Sequence, residues 1–244
     1  MRNAPLAWLS ADDPPDAFPP VETAFLEPDG LLAAGGDLSP ARLLYAYQNG
    51  IFPWYDSTQP ILWWSPDPRC VLRPDSFHLS RRLRRSLSRG DLAVSFNREF
   101  ASVVSACAAN RPGQDGTWIT PDMASAYEVL HHMGWAHSVE IWRETELVGG
   151  LYGLGIGKVF FGESMFSRQT DASKAAMLVL TALLAQQGFA ILDCQVASPH
   201  LFTLGAESMP RKAFTQVLQK ACTCADKCSF WPTDAGPVAD FLSR

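Results

Sequence analysis

Residues 147–196 carry the clearest pattern of apolar and polar positions in the chain, and it predicts a strand, a turn, a strand, a helix and a strand. Leu147-Val148-Gly149-Gly150-Leu151-Tyr152-Gly153 is apolar and extended, Gly155-Ile156-Gly157 turns the chain, and residues 158–167 return, which reads as a glycine-turned hairpin. Residues 171–187 contain no glycine or proline and are rich in Ala and Leu, so they predict a helix. Thr170 or Asp171 is placed to cap it and Gly188 to stop it. The run from Phe189 to Val196 is apolar enough for a strand covered on both faces, and period two puts Asp193 and Gln195 on one of them.

The same reading organises the rest of the chain. Residues 1–28 form a proline-rich, irregular arm with one short strand at most. Ser39 and Pro40 open a helix that runs to Asn49 and stops at Gly50. An aromatic stretch follows, in which Trp63 and Trp64 are expected in a core between domains, while Trp54, in a loop after a proline, is a candidate wall for stacking on a base. A boundary at Pro66-Asp67-Pro68 divides a small N-terminal domain, 1–68, from a larger one, 69–244. Beyond it the pattern predicts a strand from Asp91 to Phe96, a helix from Arg98 to Asn110, and a loop over 111–118 that carries a second stacking candidate, Trp118. A helix from Pro121 to Met133 and a strand from Ala136 to Trp142 lead into the central run. Strands and helices mixed in this way make an α+β protein.

Composition narrows the class. With 244 residues, 47% of them hydrophobic, a sizeable core is available. No run approaches the roughly 18 apolar residues of a membrane span and the N-terminus lacks the apolar stretch of a signal peptide, so the expectation is no membrane and a cytoplasmic location. Six cysteines are irregularly spaced. Cys222, Cys224 and Cys228 cluster, but no second pair or nearby histidine completes a four-ligand set, so no metal is expected. The net charge is −5, yet residues 81–89 hold five arginines and no acid. Helical spacing there stacks Leu79, Leu83 and Leu87 on one side and Arg81, Arg85 and Arg89 on the other, with Arg82 beside them. A single-sign stripe on an acidic protein suits a phosphate backbone.

Glu163 and Asp193 are acids inside apolar strands. Each is costly there unless it is paired, hydrogen-bonded or opens into a site, and with Gln195 close by they suggest a polar pocket. His137 is expected in a structural or orienting role. There is no Gly-x-Ser-x-Gly elbow, no phosphate-binding Walker loop and no dinucleotide fingerprint, since the glycines of 149–157 lie between strands.

Long words of the sequence, in order, resemble the bacterial leucyl/phenylalanyl-tRNA–protein transferases. They include Glu27 to Pro40, Ala46-Tyr47-Gln48, Gly50 to Trp54, Ile61 to Arg69, Gly116 to Ile119, Ala136 to Glu140, Leu147 to Gly150, Gly162 to Ser167, Ala172-Ser173-Lys174 and Asp193-Cys194-Gln195. The resemblance implies an acetyltransferase-like mixed sheet with helices in the larger domain, and an enzyme needing no cofactor. Such an enzyme moves Leu or Phe, less readily Met, from aminoacyl-tRNA to the N-terminal Arg or Lys of proteins and so marks them for degradation. It implies that Trp54 and Trp118 hold the terminal adenosine, and that Arg81, Arg82, Arg85 and Arg89 track the tRNA backbone. Met165, Phe160, Leu180, Leu184 and Leu192 are then candidates for the pocket of the transferred side chain. Asp193 is assigned to orienting or deprotonating the acceptor amine, Gln195 to hydrogen-bonding the reacting centre, and Glu163 to fixing an ammonium or a basic side chain. Ser198, Thr203 and the tail after residue 220 depart from the family pattern.

Two other readings compete: a related acyltransferase that uses acetyl-CoA or builds peptidoglycan bridges, and an RNA-binding module whose acids are structural. A coenzyme A user is expected to open its central helix with a glycine-rich pyrophosphate loop, and Ser167-Arg168-Gln169-Thr170 is not one.

Overall fold

Two sheets organise the chain in a computed structural model that describes residues 5–109, 117–222, 227, 230–233 and 236–242. The first is built from β1 (Ala7–Leu9), β2 (Leu31–Gly35), β3 (Phe52–Pro53) and β4 (Leu62–Trp64), in the order β1-β2-β4-β3, with α1 (Pro40–Gln48) between β2 and β3. The Ser39 hydroxyl caps α1 by accepting from the Arg42 amide, and Pro40 occupies the first turn, as the pattern predicts. Arg42 is buried and bonds the carbonyls of Ser10, Asp13 and Pro14, which ties the N-terminal arm to α1.

The remaining elements are β5 (Arg69–Leu72), α2 (Arg81–Leu87), β6 (Ala93–Phe96), α3 (Phe100–Ala108), α4 (Pro121–His132), β7 (Ala136–Arg143), β8 (Glu146–Ile156) and β9 (Val159–Ser167). After them come α5 (Ala172–Gln186), β10 (Ile191–Gln195), α6 (Pro199–Thr203), β11 (Glu207–Met209), α7 (Arg211–Ala221) and β12 (Gly236–Pro237). The eight strands form one mixed sheet, β11-β5-β10-β9-β8-β7-β6-β12, in which β9 and β10 run parallel and every other pair is antiparallel. Parallel neighbours need a crossover, and α5 supplies it. The fold is α+β.

Alternation along β9 divides the core. Val159 and Phe161 join the apolar cluster under α1, α3, α4 and the first sheet, whereas Phe160 joins the cluster under α2 and α5. Small residues let α5 sit close to the sheet: a Cβ on Gly149 would lie 2.5 Å from that of Ala172. The β8–β9 turn falls on Gly157 and Lys158, later than the pattern suggested, with Gly157 at φ +57°. Asp171 precedes α5 at φ +68° and makes no side-chain cap; its carboxylate takes Lys174 Nζ at 2.8 Å instead. Helix α2 ends at Leu87, so Arg89 lies beyond it. Cys224, Cys228 and loop residues 111–116 lie outside the described residues. Among those described, no helix is long and apolar enough to cross a membrane.

Candidate active site

Two bulges build the site. In β9 the partners run from Tyr152↔Ser164 to Gly153↔Gly162, so Glu163 is an extra residue opposite β8. In β10 they run from Asp193↔Val71 to Gln195↔Cys70, so Cys194 is extra opposite β5, and Gln195 takes φ +61°. Bulges re-aim side chains at the end of a paired run. Here they turn Glu163 and Gln195 toward one another: Gln195 Nε2 donates to Glu163 Oε1 at 2.8 Å. Strict alternation therefore stops at Asp193, and what joins it to Gln195 is the Gln195 amide, which donates to Asp193 Oδ1 at 2.9 Å.

Glu163 is enclosed by phenols. Tyr47 on α1 donates to its Oε1 at 2.7 Å and Tyr127 on α4 to its Oε2 at 2.6 Å, while the two hydroxyls lie 2.5 Å apart. Burial pushes the Glu163 carboxyl up to about 7, and the three donors around it pull against that rise. Burial and the neighbouring Glu163 charge push both phenols well above their ordinary range, so they stay protonated.

Asp193 is fully enclosed and pairs with Arg69 of β5, whose guanidinium lies between the rings of Phe52 and Phe214 at 4.6 and 4.8 Å and also donates to the Gly50 carbonyl. In the sequence reading Asp193 has the role of orienting or deprotonating the acceptor amine; its carboxylate is enclosed, with Arg69 on both of its oxygens and the Gln195 amide on Oδ1.

A cavity of about 1220 Å³ opens over Glu163 and Gln195. Trp54 and Trp118 wall it, with Met165 and Cys194 nearby. Trp64, expected in the core with Trp63, instead lines the cavity and donates from Nε1 to the Trp54 carbonyl at 2.7 Å; Trp63 is fully buried. Phe160, Leu180, Leu184 and Leu192 do not line the cavity. They belong to the buried cluster against which Met165 packs, so Met165 alone of the apolar candidates touches both. His137 is away from the site, buried against Trp231 with ring centroids 4.5 Å apart, and burial pushes it down to about 3, which keeps it neutral.

The arginine helix docks through Leu83 and Leu87, as its spacing predicts. Arg82, Arg85 and Arg89 line a second cavity, of about 600 Å³, together with Arg143 and Arg168, while Arg81 is exposed outside that lining. Arg84 turns away and donates to the Leu242 carbonyl.

Tyr47, Tyr127 and Arg69 had no role in the sequence reading. Tyr47 and Arg69 sit inside words that carried the resemblance, but which carboxylates they meet depends on sequence separations of 116 and 124 residues.

Comparison with known proteins gives the family. A family model described as leucyl/phenylalanyl-tRNA protein transferase matches residues 71–219, and one described as its N-terminal domain matches residues 36–67. The chain is 57% identical over 213 residues to the leucyl/phenylalanyl-tRNA–protein transferase of Stutzerimonas stutzeri, covering 87% of this chain and 93% of that one. It is 55% identical over 237 residues to that of Alkalilimnicola ehrlichii, covering 96% and 92%. Among solved structures, a ribosomal-protein-alanine N-acetyltransferase from Brucella melitensis aligns at 16% identity over 58% of this chain and 98% of that one, with a TM-score of 0.32, too distant to add weight. On the sequence matches, the chain belongs to the leucyl/phenylalanyl-tRNA–protein transferase family.

Proposed function

We propose that this enzyme transfers Leu or Phe, and less readily Met, from aminoacyl-tRNA to the α-amine of proteins that begin with Arg or Lys, and that the product is thereby marked for degradation in the cytoplasm. The observation that carries this reading is the charge and shape of the first cavity. Its described lining holds two acids, Asp56 and Glu163, and no Lys or Arg, beside three tryptophans, Trp54, Trp64 and Trp118. A cationic N-terminal residue suits the acids, and a terminal adenine suits a Trp face.

The amino acid arrives as an ester, so the chemistry is aminolysis. The acceptor amine, with a pKa near 8, loses a proton and attacks the ester carbonyl. A carbon–nitrogen bond forms, the carbon–oxygen bond to the ribose breaks, and the ribose oxygen leaves with a proton. Because Gln195 Nε2 is committed to Glu163, its Oε1 is left to accept from the amine. Glu163 lines the same cavity and is placed to hold the ammonium or the basic side chain. Asp193 acts as a positioning residue, holding the Gln195 backbone through its amide. Met165, adaptable in shape, meets the transferred side chain, with Phe160, Leu180, Leu184 and Leu192 forming the apolar wall behind it. Correct placement can account for much of the rate in the aminolysis of an activated ester.

The test is to incubate the protein with leucyl-tRNA and an Arg-initiated peptide in the absence of ATP. The peptide gains one leucine, and an acetyl-blocked peptide gains none. Modification of the blocked peptide, or an ATP requirement with preformed leucyl-tRNA, rejects the reading.

A further inference from the structure

The second cavity has two walls. One is the arginine helix and its end, Arg82, Arg85 and Arg89. The other is assembled from strand ends far away in sequence: Arg143 closes β7, and Arg168, Gln169 and Thr170 follow β9. Five arginines thus line one space, and the acid among the lining residues, Asp171, is occupied by Lys174 Nζ at 2.8 Å and by the Ser86 hydroxyl. Arg143 is about half exposed and pairs through Nη2 with Asp91 at 2.8 Å. Arg168 is anchored by one nitrogen, Nη1, on the Leu147 carbonyl at 3.0 Å, which leaves the other edge of its guanidinium for a ligand.

The loop of this second wall is rigidly held. The amides of Arg168 and Gln169 both donate to the Val148 carbonyl, at 2.8 and 3.3 Å, and the Gln169 carbonyl accepts from the Ser167 hydroxyl at 2.7 Å. Gln169 Oε1, by contrast, is buried without a hydrogen-bond partner among the described residues. A buried acceptor left unpaired is costly, and phosphate oxygens, which are acceptors themselves, cannot relieve it. A hydroxyl can.

We infer that Arg143, Arg168 and Gln169 face Arg82, Arg85 and Arg89 across a cleft for a ribose-phosphate backbone, in which the arginines take phosphates and the Gln169 side chain, which lines the cavity, turns its buried Oε1 outward to accept from a ribose 2′-hydroxyl. The inference rests on the aminoacyl-tRNA reading above and adds to it a second wall and a means of telling RNA from DNA. Strand β9 fixes the spacing. Arg168 follows Glu163 by five residues, roughly 17 Å of extended chain, so the cleft grips nucleotides several steps back from the ester rather than the terminal adenosine.

The experiment uses an RNA hairpin with the tRNA acceptor-arm sequence and the same hairpin built with 2′-deoxyribose, each titrated against wild-type protein and single variants over a range of salt. Arg143→Ala and Arg168→Ala each lower the slope of log affinity against log salt by about one unit. Wild type prefers the ribose hairpin, and Gln169→Leu reduces that preference by about three- to ten-fold, the worth of one hydrogen bond. Arg168→Ala gives up the bond to the Leu147 carbonyl, Arg143→Ala the pair with Asp91, and Gln169→Leu a buried unpaired acceptor, so melting is recorded alongside and binding is compared well below every midpoint. Unchanged salt slopes in both arginine variants, or an undiminished ribose preference in Gln169→Leu, overturn the cleft. Transfer by the wild-type protein from a donor consisting only of leucylated adenosine tests the enzymatic reading separately. If that transfer occurs and the slopes do not change, the cleft alone is wrong.

Discussion

Asp193 gives both of its carboxylate oxygens to one guanidinium, accepting from Arg69 Nε at 2.9 Å and from Nη2 at 2.8 Å, and neither side chain exceeds 1% exposure. Removing one partner leaves a buried charge unpaired. Asp193→Asn and Arg69→Met are each expected to cost about 3–5 kcal/mol in urea unfolding, whereas the double change Asp193→Leu with Arg69→Met recovers much of it. Transfer stays low in the double variant, because the Gln195 amide has lost its acceptor. A double variant no more stable than the singles, or one that transfers normally, rules out this division of roles.

Glu163 makes stability depend on pH in a stated direction. Burial raises its carboxyl from an ordinary 4.5 to about 7, so between those values the folded protein holds a proton that the unfolded chain has released. Its contribution to stability is complete below about 4.5 and is lost as pH rises through about 7. The melting temperature of wild type is expected to fall relative to Glu163→Gln across that window. Comparing the two proteins cancels His137, whose lowered value acts in the opposite sense. Parallel melting curves across the window mean that Glu163 ionises like an exposed carboxyl.

Tyr47→Phe and Tyr127→Phe each remove a donor that favours the charged form of Glu163. The loss moves the acidic limb of the transfer rate to higher pH in both variants. Coincident limbs in wild type and variants show that the phenols serve packing only.

Trp54 and Trp118 are tested with leucylated adenosine, which is too short to reach the arginines. Stacking on an aromatic ring is worth about 1–3 kcal/mol per base, so either Trp→Ala change raises KM for this donor by roughly five-fold or more. Trp64→Phe removes the hydrogen bond to the Trp54 carbonyl and produces a smaller rise. Unaltered KM in both Trp→Ala proteins places the adenosine elsewhere.

Arg84 and Arg85 are adjacent on α2 and have opposite fates. Arg85 lines the second cavity, while Arg84 is tied to the Leu242 carbonyl. Arg85→Ala reduces the salt dependence of tRNA binding by about one unit of slope. Arg84→Ala lowers the melting temperature and leaves the slope as it was. The reverse pattern reassigns the face of the helix that meets tRNA.

Sequence alone determined the local order of this protein. Apolar alternation and the punctuation by glycine, proline and serine are short-range signals, and they located α1, α4, the β8–β9 hairpin, α5 and β10 close to their observed bounds. The cost of burying a carboxylate singled out Glu163 and Asp193, because a charged residue in an apolar strand is anomalous without any knowledge of its neighbours. Long matching words were enough to suggest the family. Tertiary structure decided which groups those acids meet. A bulge inserts one residue without altering composition or pattern, so the turn of Gln195 toward Glu163 was invisible to strict alternation. The partners of the two acids, Tyr47 and Tyr127 on separate helices and Arg69 on another strand, meet them only when the sheets and helices pack. The same packing made a one-sided arginine stripe into a two-walled cleft, since Arg143 and Arg168 come from strands whose ends reach Arg82 and Arg85 only in the folded sheet.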